Sequence, residues 1–323
     1  MVTGGCGFIG SHLVDRLLTD GWDVTVFDQH PASSHGTQQH RNVRHVPGDV
    51  RDAEQLAKVC MGADVVFHLA AIVGVDQYLA RPLDVIDINF SGTRNVLSAA
   101  ARAHARVVVA STSEIFGKNP SVPWREDSDR VLGPTTADRW AYSSSKALAE
   151  HLTFAFARQN GLDATVVRYF NVYGPRQRPA YVVSRNVHRA LNGRSLVVYD
   201  QGQQTRCFTY IDDAVEGTVL AAQSAAAAGE AFNIGSMVET TVGEAVSLIA
   251  SLTDSKAAVT PVDTARALGS AYQDLQRRVP DNARARTVLG WNCRTSLHDG
   301  LSRTVEWARG QHWWLALSDT GAA

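Results

Sequence analysis

Ser111-Thr112-Ser113-Glu114 and, further along, Tyr142 and Lys146 are the residues of this chain whose types could do chemistry together. They supply hydroxyls, a carboxylate, a phenol and an ammonium. That set suits taking the proton from an alcohol while a hydride leaves the same carbon, the redox chemistry of a sugar. Tyr142 and Lys146 are four positions apart, so on a helix they project from one face. There the ammonium can stabilise a phenolate whose unperturbed pKa is about 10. Ser113 falls just past the apolar run Val107-Val108-Val109-Ala110, at the carboxyl end of an expected parallel strand, where such sheets place ligands. A hydroxyl there can bind the same oxygen as the Tyr142 phenol.

A departing hydride needs an acceptor, and the opening residues offer it a place. In Thr3-Gly4-Gly5-Cys6-Gly7-Phe8-Ile9-Gly10, Gly4, Gly7 and Gly10 are spaced to bring backbone amides and a helix N-terminus against a pyrophosphate. The pattern predicts a helix over Gly10 to Leu18, with Leu13, Leu17 and Leu18 on one face. A strand over Asp23 to Phe27 follows, ending at Asp28. Asp28 can accept both ribose hydroxyls of an adenosine, and its charge would repel a 2′-phosphate, which favours NAD over NADP. By chain order, Asp49 and Val50 fall near the adenine, and Leu69, Ala70 and Ala71 near the nicotinamide ribose.

The elements that must hold these groups alternate. Short β-rich runs at Val43 to Val46, Val65 to His68, Val107 to Ala110 and Thr165 to Tyr169 are separated by helical patterns at Ala53 to Met61, Pro82 to His104 and Tyr142 to Gln159. This predicts an α/β fold, a doubly wound parallel Rossmann sheet with a smaller α/β substrate-binding domain. The NAD-binding part is expected over residues 1–170 and the second domain over 171–323, with a strand at Ala231 to Ile234 returning to the first. Helices at Val183 to Asn192, Asp212 to Gln223, Val242 to Leu252 and Leu297 to Trp307, and a strand at Leu196 to Tyr199, fill the remainder. Met1-Val2-Thr3 leaves a stub of strand before the glycines, shorter than the usual five or so residues.

Composition narrows the partners. In 323 residues, 31 basic and 32 acidic side chains nearly cancel, so the chain carries no electrostatic footprint for nucleic acid or an anionic membrane surface. Cys6, Cys60, Cys207 and Cys293 are scattered and form no CxxC pair, which suggests neither disulfides nor a zinc site and suits a reducing cytoplasm. The repeated His30, His35, His40 and His45 lack the cysteines or paired acids of a metal centre. No apolar run reaches bilayer length, and no signal-peptide pattern opens the chain.

TGGCGFIG, Asp28, HLAA, STSEIFG, YSSSK and RYFNVYGPRQRP together resemble the extended short-chain dehydrogenase/reductase family acting on nucleotide sugars, over nearly the whole chain. The resemblance implies a tightly held NAD contacted also by Phe8, Ile9 and Asn89, with abstraction of the sugar 4-hydroxyl proton by Tyr142 and hydride transfer from C4. It also implies a homodimer built on the helices at Pro82 to His104 and Tyr142 to Gln159. Within the family, dehydratases carry Asp-Glu where this chain has Ser113-Glu114, and simple 4-epimerases place a small or aliphatic residue at Glu114. Glu without Asp resembles the UDP-glucuronate decarboxylases.

Gln203-Gln204-Thr205-Arg206-Cys207-Phe208, and Tyr272-Gln273-Asp274 with Arg278 and Pro280, are similar to the decarboxylase that opens aminoarabinose synthesis. By that resemblance Thr112, Ser113, Glu114 and Arg206 join Tyr142 and Lys146 in catalysis, and the UDP portion of the substrate lies over Asn171, Arg178, Arg185, Tyr199, Arg206 and Arg278. The expected reaction is decarboxylation of UDP-glucuronate through a 4-keto intermediate to UDP-xylose, UDP-4-keto-xylose or both. A nucleotide-sugar 4-epimerase and a non-catalytic NAD-binding regulator are the alternatives. The loop after Gly174-Pro175-Arg176 is shorter than in xylose-forming relatives, which favours escape of the 4-keto pentose.

Overall fold

A computed structural model describes residues 1–30, 43–264, 266 and 275–319. Among these, seven strands form one parallel sheet in the order β3-β2-β1-β4-β5-β6-β11: Val43–Pro47, Val24–Asp28, Val2–Thr3, Val65–His68, Arg106–Thr112, Ala164–Tyr169 and Ala231–Ile234. The order reverses between β1 and β4, and a crevice opens at their carboxyl ends as doubly wound sheets require. The expected return of 231–234 is a pairing of β11 with β6, Ala231 opposite Val166 and Ile234 opposite Tyr169.

Strands buried on both faces read as continuous apolar runs, and the two cores show why. Val108 and Val167 face α1 (Phe8–Thr19) and α8 (Ile211–Gln223), meeting Leu13, Leu17, Val215 and Val219. Val107, Val109 and Val166 face the other way, meeting Leu56 and Cys60 of α2 (Ala53–Cys60) and Val96, Leu97 and Ala100 of α5 (Thr93–Ala103).

The two-residue β1 survives in mid-sheet because its flanks extend the ladder. Phe67 N donates to Met1 O at 2.9 Å, Leu69 N to Thr3 O at 3.1 Å, and Gly4 N to Phe27 O at 3.0 Å. Below it the buried His68 ring joins Thr3 and Thr93. Thr93 Oγ1 gives its own hydrogen to Asn89 O at 2.6 Å, so it must accept from His68 Nε2 at 3.0 Å; His68 Nδ1 then accepts from Thr3 Oγ1 at 2.8 Å. Burial and the Lys146 charge push this imidazole down to about 3, so it stays neutral in that tautomer.

The expected helix over Pro82 to His104 is broken into α4 (Pro82–Ile86), a π-helical turn at Asp87–Gly92 and α5. α6 runs over Arg139–Asn160, one turn earlier than the sequence pattern placed it, and ends at Gly161 in the left-handed region. Among the elements with no counterpart in the sequence pattern are α3 (Val75–Ala80), a strand at Val259–Val262 and a helix at Ala283–Leu289. After β6 the chain builds β7 (Val172–Tyr173), α7 (Val182–Leu191), β8 (Leu196–Tyr199), β9 (Thr205–Arg206), β10 (Thr209–Tyr210), β12 (Thr240–Thr241) and α9 (Val242–Leu252). These form two-strand pairs, β7 with β10, β9 with β12, and β8 with Val259–Val262, beside the large sheet.

The glycine loop tolerates no added methyl at its tightest points. A Cβ on Gly10 would lie 2.1 Å from Gly4 O, and one on Gly4, at φ +70°, would lie 2.6 Å from Ala70 N. Gly10→Ala should therefore lower stability by about 1–3 kcal/mol, the usual cost of overpacking. Chemical denaturation of the variant should show it, together with weakened NAD binding.

Candidate active site

A cavity of about 540 Å³ lies at the carboxyl ends of the strands. One end is the glycine loop: Gly4, Gly7, Phe8, Ile9 and Gly10 line it, and α1 begins at Phe8 with Gly7 as a cap lacking a side-chain acceptor. The first amides of α1 are thus left for an anion. Asp28, at the end of β2, accepts Cys6 N and His30 N at 2.9 Å each, so its carboxylate is fixed beside the loop. This cradle, too tight for a Cβ at Gly4 and Gly10 and followed by an oriented acid, fits a dinucleotide.

At the centre, α6 presents Tyr142 and Lys146 to the cavity beside Ala110, Ser111 and Thr112 of β5. The Lys146 ammonium donates to Ala110 O at 2.9 Å. Burial lowers it to about 8, against the opposing pull of Glu150. The Tyr142 ring stacks on Tyr78 of α3 at 6.4 Å. Its phenol is pushed above the usual range, chiefly by burial and next by the Glu114 charge, whereas the Thr112 hydroxyl and Arg278 draw it back. Thr112 Oγ1 accepts from Glu114 N at 3.2 Å, leaving its hydrogen for the phenol oxygen.

The hydroxyl beside the phenol is therefore Thr112. Ser113, expected there, opens a 3-10 turn at Ser113–Phe116, is buried, and is not part of the cavity wall. β5 runs on to Thr112, two residues beyond the apolar run, and this shifts the cavity-facing hydroxyl back by one.

Glu114 is held by two arginines. Arg278 reaches Oε1, and Arg139 NH2 lies 3.4 Å from Oε2. Arg139 is buried and lines the cavity, yet the sequence reading passed over it. Its position three residues before Tyr142 on one helix face was the available signal.

The far end is lined by Asn171, Arg178, Arg185, Tyr199, Arg206 and Arg278, all six of the residues expected around a nucleotide sugar. Arg206 donates to Thr205 O and Leu275 O at 2.7 and 2.8 Å. Arg185 donates to the Tyr199 hydroxyl at 2.9 Å and to Ala180 O at 3.1 Å. Arg178 forms a two-pronged pair with Asp76 of α3 at 3.0 and 2.9 Å and stacks over Tyr181. The Gly174-Pro175-Arg176 loop is fastened to α1, with His12 Nε2 on Pro175 O at 2.9 Å and Arg176 on Asp15 at 2.7 Å.

Several expected cofactor contacts stand apart from the wall, although Leu69 and Ala71 line it. Ala70 lies behind it, its N–H directed to Thr3 Oγ1 at 3.3 Å. Val50 is core, and the Asp49 carboxylate is taken by Arg51, with one oxygen 2.6 Å from NH2. Asn89 is buried behind Ile72, bonding its backbone N and O and meeting Ser145 Oγ at 3.3 Å. Tyr272, Gln273 and Asp274, with His35 and His40, lie outside the described residues. Among the described residues no cluster of His, Cys, Asp or Glu could hold a metal ion.

The pattern of the NAD dependent epimerase/dehydratase family matches residues 1–235. This chain belongs to that family. It is 39% identical over 314 residues to UDP-N-acetyl-alpha-D-glucosaminuronate decarboxylase of Bacillus cytotoxicus, covering 96% of this chain and 97% of the relative. It is 34% identical over 313 residues to UDP-glucuronic acid decarboxylase 1 of Danio rerio, covering 95% and 72%. The solved structure of MoeE5 in complex with UDP-glucuronic acid and NAD superposes with a TM-score of 0.84 at 32% identity, covering 95% of this chain and 98% of that one.

The geometry predicts how the hydroxyls divide, Thr112 lining the cavity and Ser113 not. Thr112→Ala should lower kcat by at least tenfold with NAD affinity intact, and Ser113→Ala should lower it less. Tyr142→Phe, which removes the phenol, should cost roughly 10²–10⁴-fold in kcat. Steady-state kinetics with cofactor titration checks all three.

Proposed function

We propose that this chain is an NAD-dependent decarboxylase of UDP-linked uronic acids, with UDP-glucuronate as the substrate of reference. The observation that carries the reading is Glu114 beside Tyr142 and Thr112, clamped by Arg139 and Arg278, where a dehydratase needs an acid pair and an epimerase a bare pocket. Decarboxylases among the relatives support it.

Gly4, Gly7, Gly10 and Asp28 would hold NAD, which would supply a reversible hydride acceptor for sugar C4. The chain's own residues do the remainder. Tyr142 takes the 4-hydroxyl proton, and Lys146 and Thr112 supply the charge and hydrogen bond that favour its ionised form. With C4 a ketone, the C5–C6 bond breaks, carbon dioxide leaves, and its electron pair passes to the C4 oxygen as an enolate. Thr112 and Tyr142 are placed to hold that oxygen by hydrogen bonds. A proton then returns to C5. Glu114 positions the sugar or a water for that step, and Arg206 orients the carboxylate or a neighbouring phosphate.

A second reading concerns the substituent at sugar C2. The 39% relative acts on a 2-acetamido uronate, so UDP-N-acetylglucosaminuronate belongs in the same assay. Dimerisation is supported by an apolar surface across adjoining elements: Leu79 of α3, Leu83 and Ile86 of α4 and Leu148 of α6 are exposed, Leu83 at 77%. The four cysteines form no disulfide, and no described helix is long and apolar enough to cross a membrane, which suits the proposed cytoplasmic setting.

With UDP-glucuronate and NAD the purified protein should release carbon dioxide and form a UDP-pentose. C4 inversion without carbon dioxide would establish an epimerase. The 4-keto pentose beside the reduced one, with enzyme left carrying reduced nicotinamide, would show escape from the short loop. For the surface, Leu83→Asp should shift light-scattering mass from dimer to monomer, and an unchanged mass would place any interface elsewhere.

A further inference from the structure

Beyond Arg139, Tyr142 and Lys146, the same face of α6 carries a further ionisable side chain. Glu150 lies one turn beyond Lys146, is 5% exposed, and receives three donors. Ser111 Oγ donates to Oε1; Arg168 Nε reaches Oε1 at 3.0 Å, and its NH2 reaches Oε2 at 2.7 Å. Ser111 and Arg168 are register partners on β5 and β6. The guanidinium is held in turn by Glu126 O at 2.7 Å and lies over the Phe116 ring.

Two rungs thus tie α6 to successive residues of β5. The Lys146 ammonium takes Ala110 O, and the Glu150 carboxylate takes Ser111 Oγ. The next residue, Thr112, carries the hydroxyl that meets the phenol. A buried ion pair is a poor source of net stability, because desolvation offsets its attraction, while it does fix geometry where every donor is satisfied. We propose that Glu150 is a positioning residue for the proton and hydride transfers: through Ser111 and Arg168 it sets the carboxyl end of β5 against α6, and so the placement of Lys146 and Thr112 about Tyr142. This rests on the reading of Tyr142 and Lys146 as the proton-transfer pair.

The charges around the pair are few. Glu150 faces Arg168 from β6, Arg130 from the segment before α6, and Lys146 on its own helix; Lys146 faces Glu150 and the neutral His68 ring of β4. Glu150 is the group that opposes the effect of burial on Lys146. Removing its charge should leave the ammonium easier to deprotonate, so that activity is lost at lower pH on the alkaline side.

Glu150→Gln keeps the shape of the side chain and an acceptor oxygen. Its kcat on UDP-glucuronate should fall at least tenfold with KM within about twofold, and the alkaline limb of the kcat profile should move down by about half a pH unit or more, with NAD content near that of the parent; the melting temperature should fall, because Arg168 stays buried without its charged partner. Ser111→Ala, which leaves Glu150 with Arg168 but cuts the rung to β5, should lower kcat without moving the limb. Unchanged kcat and limb in Glu150→Gln would overturn the proposal, as would activity lost only in step with NAD content. Should Glu150→Gln fail to fold, parental kcat in Ser111→Ala would overturn it. A parent enzyme inactive on uronates counts against the decarboxylase reading instead, whereas an active parent with an unaltered Glu150→Gln counts against the positioning role alone.

Discussion

The docking of α6 on the carboxyl end of β5 is the contact on which the site depends. Lys146 of α6 meets the carboxyl end of β5 directly at Ala110 O. Spacing then does the rest. Tyr142 lies a turn before Lys146 and comes over Thr112; Glu150 lies a turn after and comes over Ser111. One helix face against three consecutive strand residues fixes phenol, ammonium and hydroxyl without help from any loop. The glycine turn after β1 faces the same crevice, so the dinucleotide cradle and the Tyr142 phenol share one wall.

Burial makes this arrangement reactive only in company. It raises the phenol and lowers the ammonium, each towards its neutral form, because a dry wall disfavours charge of either sign. Glu114 raises the phenol further, while Arg278 and the Thr112 hydroxyl oppose that. The site is poised by compensation: a carboxylate that holds the phenol neutral sits between two guanidiniums.

What could be read from the sequence followed from periodicity and from groups whose meaning is local. The buried strands announced themselves as apolar runs, the glycine spacing and Asp28 as a βαβ turn, and β8, β11 and α9 agree with the pattern to the residue. The short α3 was missed because six residues complete too little of a helical period, and Val259–Val262 because Pro261 interrupts an exposed strand. Among adjacent hydroxyls, Thr112 and Ser113 differ only in where β5 stops, which no local signal gives. Arg139 was hidden because the sequence pattern started α6 at Tyr142, one turn late. Asp49 and Asn89 show the converse limit, since their chain order was right for a cofactor contact while Arg51 and the Ile72 backbone engage their side chains.

The central claim is that oxidation at sugar C4 comes before loss of carbon dioxide and depends on Tyr142. Single-turnover release of carbon dioxide from UDP-glucuronate bearing deuterium at C4 tests it most directly. The account predicts slower release than from the unlabelled sugar, with the deuterium recovered on pentose C4 or on reduced nicotinamide. Equal rates, with the label never leaving the sugar, would contradict it.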